Sequence, residues 1–384
     1  MYKINTLNKI ASIGTDKFDK SKYEVAENLA NADAIMVRSS SMHEMDFDKE
    51  LKAIARAGAG VNNIPLDKCA EAGIVVFNTP GANANAVKEL VLLSLLISSR
   101  KVPNSMEWIK TLKGKGDDVT KLVEKGKSQF VGPEISGKTL GVIGLGAIGI
   151  LVANAAVALG MKVYGYDPFL SVDGAWKLSK KVVHATSLKE IYQNSDYITI
   201  HVPCNNDTKG FINKEAIALM KSDVRILNFA RGELVNSKDI LEAISEKDVA
   251  CYVTDFPTDE MIETEGVIAF PHLGASTPES EDNCAIMAAD ELIDFLENGN
   301  IRNSVNMPNA SMPKTASPRI CVIHKNVKAI IASITTTVSD VNIVNMVNTS
   351  RGDYGYTMID LDGSIDGFAE KIEKIDGVIN VTVY

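Results

Sequence analysis

The sequence predicts an α/β protein built from two doubly wound parallel-sheet domains and a C-terminal ferredoxin-like βαββαβ domain. Residues 1 to about 80 alternate short β-type runs with helical stretches, and residues 139–275 repeat this alternation over a longer span. Such alternation is typical of parallel sheets that are covered by helices. Residues 319–384 read strand, helix, strand, strand, helix, strand, which is the order of the split βαβ fold.

Length, charge and cysteine content limit the class of protein. A chain of 384 residues is too long for one core, and a net charge of −9 argues against nucleic-acid binding. The five cysteines lack Cys-x-x-Cys spacing, which favours reduced thiols over disulfides or a metal site. The N-terminus has no apolar signal region, and the apolar run 87–99 is too short to span a bilayer. We therefore expect a cytoplasmic protein with no metal, membrane or nucleic-acid partner.

The first α/β region places polar loops after its strands. We predict strands over 34–37 and 73–77 and helices over 22–30 and 67–72. The loops that follow strands are 38–40, 56–63 and 78–81. Ligands of open α/β sheets bind beyond the carboxyl ends of strands, so these loops are either ligand loops or simple tight turns. In the first case Gly58 and Gly60 are expected to present backbone N–H groups to a carboxylate.

A long apolar helix follows. Residues 83–100 are helical in pattern, and residues 87–97 are apolar on nearly every face. Such a helix belongs between layers, which suggests that it lies at a domain boundary.

The stretch 139–149 reads TLGVIGLGAIG. A β-type run enters a Gly-x-Gly-x-x-Gly turn, and a helix-compatible run leaves it. Gly144 permits the turn, Gly146 lets a pyrophosphate approach the backbone, and Gly149 lets the helix pack on the strand. With strand, turn and helix in register, the motif predicts a dinucleotide site of the Rossmann type rather than a turn without a ligand. Both parallel-sheet domains are thus expected to be Rossmann-like or flavodoxin-like.

A second β-type run, residues 162–166, ends at Asp167. An acidic residue here accepts hydrogen bonds from the ribose hydroxyls of an adenosine and repels a 2′-phosphate. Since Pro168 and Phe169 follow instead of an arginine, NAD is predicted in preference to NADP.

Three later loops carry reactive side chains. Arg231 and His272 each follow a β-type run, and acidic residues follow Thr254. A guanidinium holds a carboxylate with two parallel hydrogen bonds, and an imidazole near a carboxylate can take a hydroxyl proton during hydride transfer. An arginine after a strand can equally form a surface ion pair, but its place after the glycine motif favours a functional role. His201 lies within a β-type run and reads as a core histidine.

Four motifs together carry a resemblance to a known family. Residues 144–149 (GLGAIG), 228–232 (NFARG), 271–277 (PHLGAST) and 56–63 (RAGAGVNN) resemble the D-isomer-specific 2-hydroxyacid dehydrogenases. The resemblance implies hydride transfer between NAD and a small-molecule substrate. The loop over 56–63 and the tail over 319–384 narrow the resemblance to certain members of the family. These members act on a phosphorylated 2-hydroxy acid, form homodimers or homotetramers, and carry an ACT domain.

The resemblance also implies domain limits. It implies a substrate domain over 1–98 and 276–306, an NAD-binding domain over 99–275, a linker over 307–318 and an ACT-like regulatory domain over 319–384. Pro308, Pro313 and Pro318 give the linker its composition.

The resemblance also implies functional residues at the positions of this sequence that match the family's motifs. The implied catalytic residues are Arg231, which orients the substrate, His272, the acid/base, and Glu260, the partner of His272. The acidic motif is imperfect, and another alignment makes Asp259 the partner; Asp255 is expected to hold the nicotinamide amide. The implied NAD contacts are Gly144, Gly146, Ala147, Ile148, Gly149, Asp167, Pro203, Phe229, Ala230, Asp255 and Ala275. The implied substrate contacts are Arg38, Ser39, Arg56, Gly58, Ala59, Gly60, Val61 and Asn78.

The tail resembles the serine-binding ACT pattern at His324, Asn326 and Asn342, which implies an amino-acid effector. It departs at Ala329, where those domains commonly carry glycine, so weak or absent serine inhibition is expected.

Two other functions fit parts of the sequence. A reductase of another 2-oxo acid, such as hydroxypyruvate, glyoxylate or 2-oxoglutarate, would use the same scaffold. The second is a regulatory protein that senses NAD and an amino acid without turnover. Such a sensor would not need a base beside the nicotinamide.

Overall fold

The computed structural model describes residues 1–384, and the chain divides into two compact units. Unit 1 comprises Met1–Asn83 and Pro278–Tyr384, and unit 2 comprises Ala84–Thr277. The domain limits expected at 98/99 and 275/276 thus differ from those observed. The reason is that the helix after Asn83 buries Val87, Val91 and Leu95 in the core of unit 2.

The first sheet of unit 1 has five parallel strands in the order β2-β1-β3-β4-β5. The strands are β1 (Tyr2–Leu7), β2 (Tyr23–Ala26), β3 (Ala34–Val37), β4 (Ala53–Arg56) and β5 (Val75–Asn78), with short helices α1 (Ser12–Thr15) and α2 (Leu66–Glu71). This is the flavodoxin-like order, in which the direction of winding changes between β1 and β3.

The helix predicted over residues 22–30 is wrong. Residues 23–26 form the edge strand β2, which pairs in parallel with β1. Tyr23 is buried and stacks on Tyr2, whereas Asn28 and Asn31 have φ angles of 58° and 51°, which no α-helix includes. The apparent helical pattern therefore spans a strand and two turns.

Unit 2 contains seven parallel strands in the order β12-β11-β10-β9-β6-β7-β8. The strands are β6 (Thr139–Ile143), β7 (Lys162–Tyr166), β8 (Val183–His184), β9 (Tyr197–Ile200), β10 (Val224–Asn228), β11 (Val249–Thr254) and β12 (Val267–Ala269). The helices are α3 (Ala84–Arg100), α4 (Val102–Lys110), α5 (Val119–Gly126), α6 (Ala147–Ala158), α7 (Val172–Lys177), α8 (Leu188–Asn194), α9 (Lys214–Ile217) and α10 (Ser237–Ser245). This is the Rossmann order, and the switch point where ligands bind lies between β6 and β9. The predicted doubly wound class is confirmed for both sheets.

The rest of unit 1 begins with α11 (Pro278–Asn298), which is followed by Gly299 with a φ of +72°. The tail then forms β13 (Arg319–Lys325), α12 (Ile330–Thr337), β14 (Asn342–Arg351), β15 (Tyr354–Asp362), α13 (Phe368–Ile372) and β16 (Val378–Val383). Its antiparallel sheet has the order β14-β15-β13-β16, as the βαββαβ prediction requires.

The tail is not a body separate from the first sheet. Alternate residues of β13 face opposite sides of the small sheet, as the period of a strand requires. Ile320 and Val322 pack with the tail's own helices, whereas Cys321 and Ile323 share a core with Phe77 of β5 and other residues of the first sheet.

The predicted linker is also packed. Met307, Ala310 and Met312 are buried in that same core, and Ile301 and Ala310 exchange two backbone hydrogen bonds. The expectation of a free spacer over 307–318 is therefore wrong, because apolar residues alternate with the prolines and find partners in unit 1.

All five cysteines are unpaired. No helix of the structure combines the length and the apolar character needed to cross a membrane.

Candidate active site

The glycine turn is shaped by close approaches of the backbone. A Cβ atom at Gly149 would lie 1.9 Å from the Gly144 carbonyl oxygen, and one at Gly144 would lie 2.5 Å from the His201 carbonyl oxygen. Gly144 also has a φ of +92°, which glycine adopts readily. By contrast, a Cβ atom at Gly146 would meet no atom within 4 Å. The backbone at Gly146 therefore borders open space, in which a side chain would obstruct a pyrophosphate.

Asp167 lies at the end of β7, beside this turn. Its Oδ2 atom accepts the Leu145 N–H at 2.8 Å, and its Oδ1 atom accepts the Phe169 N–H at 2.8 Å. The carboxylate is thus held in place by two backbone groups. Each oxygen retains a lone pair for a ribose hydroxyl.

His201 follows β9 and is partly exposed as a whole residue, but its ring nitrogen Nδ1 is buried. One ring nitrogen, Nε2, hydrogen-bonds with the Thr199 hydroxyl at 3.0 Å, and Nδ1 has no partner. Burial lowers the pKa of His201 to about 3, so the ring is neutral at physiological pH. This environment fits the predicted core histidine and not a proton acceptor.

The loop after β10 positions Arg231. The buried side chain of Asn228 donates from Nδ2 to the Arg231 carbonyl at 2.8 Å and accepts the Ala230 N–H at 3.2 Å. The Arg231 guanidinium donates from Nη1 to the Ala230 carbonyl at 2.7 Å. Asn228 was missed as a functional residue, although an amide at the end of a buried strand is a usable signal.

The loops that carry Asp255 and His272 are joined. Asp255 follows β11, is 2% exposed, and accepts the Gly274 N–H at 3.2 Å through Oδ2. The neighbouring Phe256 ring lies 4.5 Å from the exposed His272 ring, centroid to centroid. Burial raises the pKa of Asp255, whereas the charges of His272 and Arg231 act in the opposite direction. The carboxylate of Asp255 is therefore electrostatically coupled to both reactive side chains.

Glu260 is not brought to His272. It lies with Asp259 in a short 3-10 turn (Asp259–Met261), and both side chains are exposed. The pKa of Glu260 is lowered chiefly by its own backbone N–H, and no hydrogen bond or ion pair joins it to the imidazole. The structure thus supports neither Glu260 nor Asp259 as the partner of His272, because the chain turns them toward solvent.

In unit 1, the predicted substrate loops meet at the carboxyl ends of β3, β4 and β5. Arg56 donates from Nε to the Arg38 carbonyl at 3.0 Å, and Arg38 forms an ion pair with Glu281 at 2.6 Å. The Asn78 side chain donates to the Ala59 carbonyl at 2.6 Å. The two arginines are therefore held in one cluster.

Gly58 has a different role from the predicted one. Its N–H donates to the Arg56 carbonyl at 2.8 Å and is not free for a ligand. A Cβ atom at this position, where φ is +152°, would lie 1.7 Å from Nη1 of Arg56. Glycine is needed here to make room for the guanidinium.

The Ser39 N–H is likewise engaged, since it donates to the Asn8 side chain at 3.1 Å. For Gly60, Val61 and the remaining loop residues, the structure shows only that they lie in this loop cluster.

The predicted effector residues do not come together within one chain. His324 is 1% exposed, and its ring nitrogens bond with the Thr357 hydroxyl at 2.9 Å and the Lys325 carbonyl at 2.8 Å. Its register partner on β15 is Gly355, whereas that of Asn342 is Asp362. Seven residues of a strand span about 23 Å, so His324 and Asn342 lie far apart within one chain. Asn326 is at the His324 end, where it donates to the Gly352 carbonyl at 3.1 Å.

Comparison with known proteins shows which family this chain resembles. A profile of the D-isomer specific 2-hydroxyacid dehydrogenases, NAD binding domain, matches residues 92–274. Residues 92–274 are therefore similar to the NAD-binding domain of this family. The matched residues include the glycine turn, Asp167, Arg231 and His272. All of them lie in unit 2.

Two named relatives are similar to most of this chain. The D-3-phosphoglycerate dehydrogenase of Bacillus subtilis (strain 168) is 33% identical over 343 residues, which is 85% of this chain and 62% of that protein. The enzyme of the same name from Methanocaldococcus jannaschii is 35% identical over 303 residues, which is 77% of this chain and 55% of that protein. The chain thus spans little more than half the length of these relatives.

Solved structures share the fold. An NAD⁺-bound 3-phosphoglycerate dehydrogenase of Entamoeba histolytica superposes with a TM-score of 0.61 and 28% identity, covering 79% of this chain and 98% of that one. The apo D-mandelate dehydrogenase of Rhodotorula graminis has a TM-score of 0.69, 22% identity and coverage of 82% and 99%. The second likeness shows the fold alone.

Proposed function

We propose that this protein oxidises 3-phospho-D-glycerate to 3-phosphohydroxypyruvate with NAD, the first step of phosphorylated L-serine synthesis. The observation that carries the proposal is the coupling of Arg231 and His272 through Asp255, on loops at the carboxyl edge of the family's NAD-binding sheet. The names of the relatives support the choice of substrate.

The residues of unit 2 fit the cofactor. The open backbone at Gly146 and the anchored carboxylate of Asp167 are suited to the pyrophosphate and the adenosine ribose. The further proposed contacts are Gly144, Ala147, Ile148, Gly149, Pro203, Phe229, Ala230 and Ala275. When bound, NAD supplies the acceptor for the hydride that leaves C2 of the substrate. A carboxylate at Asp167 favours NAD over NADP, because it repels a 2′-phosphate.

The side chains divide the remaining chemistry. Arg231 holds the substrate carboxylate with two parallel N–H bonds, which fixes C2 in position. His272 takes the proton of the C2 hydroxyl on a ring nitrogen, so that the carbonyl forms as the hydride departs. The proton then passes from the imidazolium to water, and one proton is released for each 2-oxo acid formed.

In unit 1, we propose Arg38 and Arg56 as cationic substrate contacts, with Ser39, Gly58, Ala59, Gly60, Val61 and Asn78 in the same loops. The ion pair between Arg38 and Glu281 leaves both side chains 42% exposed. A phosphate can therefore compete with the Glu281 carboxylate for the guanidinium.

The decisive experiment measures initial rates of NADH formation with 3-phospho-D-glycerate and with a panel of unphosphorylated 2-hydroxy acids. The proposal expects the highest kcat/KM for the phosphorylated substrate. A preference for glycerate, glycolate or 2-hydroxyglutarate would assign a different member of the family. No turnover with any substrate, despite NADH binding, would instead favour the sensor.

We also propose that two chains associate through unit 2. The surface of α3 and α4 exposes five large apolar residues: Leu93, Leu96, Val102, Met106 and Ile109. Apolar patches on this scale mark protein interfaces. Light scattering should give a dimer or tetramer, and the double substitution Leu96→Asp with Met106→Asp should shift it toward monomer.

For the ACT-like tail, we propose an amino-acid effector site of the L-serine type that draws on two copies of the chain. The separation of His324 and Asn342 along β15 supports shared sites rather than one site within a chain. A dose curve with L-serine tests this, and weak inhibition is expected because position 329 carries a methyl group.

A further inference from the structure

The surroundings of Asp255 support a role that resemblance does not give it. We propose that Asp255 is the positioning residue that orients the His272 imidazole, in place of Glu260 or Asp259; this rests on the proposed function.

The first support is the way in which two adjacent residues contact the histidine loop. Asp255 bonds to the N–H of Gly274, two residues beyond His272, and Phe256 packs its ring on the imidazole. A Cβ atom at Gly274 would lie 3.4 Å from Oδ2 of Asp255, so the backbone passes directly over the carboxylate. The end of β11 therefore determines where the histidine loop lies.

The second support is an unused acceptor. Oδ1 of Asp255 is buried and has no hydrogen-bond partner, whereas Oδ2 is satisfied. A buried carboxylate oxygen without a donor is costly, so a nearby donor gains from reaching it. An imidazole N–H is a suitable donor, and the exposed His272 ring lies in the loop to which Asp255 bonds.

The third support is electrostatic. The charged side chains that act on the carboxylate of Asp255 are His272 and Arg231, both of which favour its charged form. Asp255 in turn adds to the raised pKa of Tyr252, which comes mainly from burial. Burial alone favours the protonated acid. A cationic imidazole therefore stabilises the Asp255 carboxylate, and by reciprocity the carboxylate stabilises the imidazolium that forms when the substrate proton is taken.

Glu260 and Asp259 lack each of these features. Both are exposed, whereas Asp255 is buried and bonds to the histidine loop. An exposed carboxylate is screened by water and cannot fix the tautomer of a ring that it does not touch.

The test compares three isosteric variants, Asp255→Asn, Glu260→Gln and Asp259→Asn. Each is measured for NADH affinity by fluorescence titration, for kcat and KM with 3-phospho-D-glycerate, and for the pH dependence of kcat/KM. For Asp255→Asn we expect kcat to fall about a hundredfold or more, NADH affinity to stay within about threefold, and the acid limb of the oxidation profile to move to lower pH. Glu260→Gln and Asp259→Asn should keep the wild-type profile.

Other outcomes overturn the assignment. A hundredfold loss in Glu260→Gln or Asp259→Asn would return the role to that residue, and this holds even if Asp255→Asn fails to fold. A fall in NADH affinity that matches the fall in kcat would place Asp255 on the nicotinamide amide instead. In a His272→Ala background, Asp255→Asn should cause no further loss, because it acts through the imidazole. A wild-type protein without dehydrogenase activity would refute the proposed function itself.

Discussion

Arg319 and Asp360, on neighbouring strands of the tail sheet, form a fully buried two-pronged ion pair. Nε of Arg319 lies 2.6 Å from Oδ1 of Asp360, and Nη2 lies 3.0 Å from Oδ2. The guanidinium also donates to the carbonyls of Asn298, Met312 and Pro313. One side chain therefore connects the tail to the end of α11 and to the segment that precedes the tail.

This connection predicts that the tail is needed for a stable unit 1. Deletion of residues 319–384 would expose Phe77 and Phe295, which share a core with Cys321 and Tyr356. We expect the deleted chain to aggregate or to unfold at a markedly lower temperature, as scanning calorimetry can show.

The matched control is a cut in place of a deletion. A protease site inserted at the exposed residues 314–316 should give a nicked chain that stays assembled and melts close to the intact protein. A deleted chain that is as stable as the wild type would show that the shared core contributes little.

Ala329 is predicted to destabilise the protein locally. It caps α12 with φ at +64°, a left-handed conformation that costs a residue with a Cβ atom about 1 kcal/mol relative to glycine. Ala329→Gly should therefore raise the free energy of unfolding by up to about 1 kcal/mol. Ala332→Gly, inside the same helix, should lower it by about 1 kcal/mol. Urea denaturation distinguishes the two, and equal effects would contradict the backbone argument.

Glu291 is predicted to make stability fall as pH rises. Its side chain is 8% exposed, Oε1 accepts the Asn303 amide at 2.7 Å, and Oε2 has no partner. Burial raises the pKa of Glu291 to about 8. The folded state thus retains a proton that the unfolded state loses, and stability declines between the ordinary pKa near 4.5 and about 8.

Glu291→Gln should remove this decline. Denaturation midpoints at pH 5.5 and pH 8.5 should differ less in the variant, which should also be the more stable protein at the higher pH. Parallel pH dependences in the two proteins would mean that Glu291 ionises without cost.

Asp167→Ala is predicted to weaken NAD binding and to relax discrimination against NADP. In the proposed function, the substitution removes the acceptor for ribose hydroxyls and the charge that repels a 2′-phosphate. Paired titrations with NADH and NADPH measure the ratio of affinities. An unchanged ratio would show that the carboxylate serves only to brace the glycine turn.

Residue patterns within short stretches of the chain predicted part of this structure correctly. The turn over 139–149 was predictable because its glycines are required by contacts with nearby backbone atoms. The βαββαβ tail was predictable because strand-like and helix-like patterns alternate along it. The same kind of signal failed over residues 22–30, where the positive φ of Asn28 and the pairing of β2 with β1 decide the structure.

Features set by tertiary contacts were not predictable. The prolines of 307–318 suggested a spacer, but the partners of Met312 and Arg319 are distant in sequence. Spacing likewise suggested Glu260 as the partner of His272, whereas burial and the Gly274 hydrogen bond point to Asp255. The spacing of acidic residues along the sequence does not predict which of them is exposed to solvent.

The central claim, that His272 accepts the substrate proton, is tested most directly by His272→Ala. The measurement is kcat for oxidation of 3-phospho-D-glycerate beside NADH affinity, with the exposed His184→Ala as the control. A positioned base contributes about 10²–10⁴-fold, so His272→Ala should lose at least about 99% of kcat and still bind NADH within a few-fold of the wild type. Retention of more than about a tenth of kcat would contradict the account.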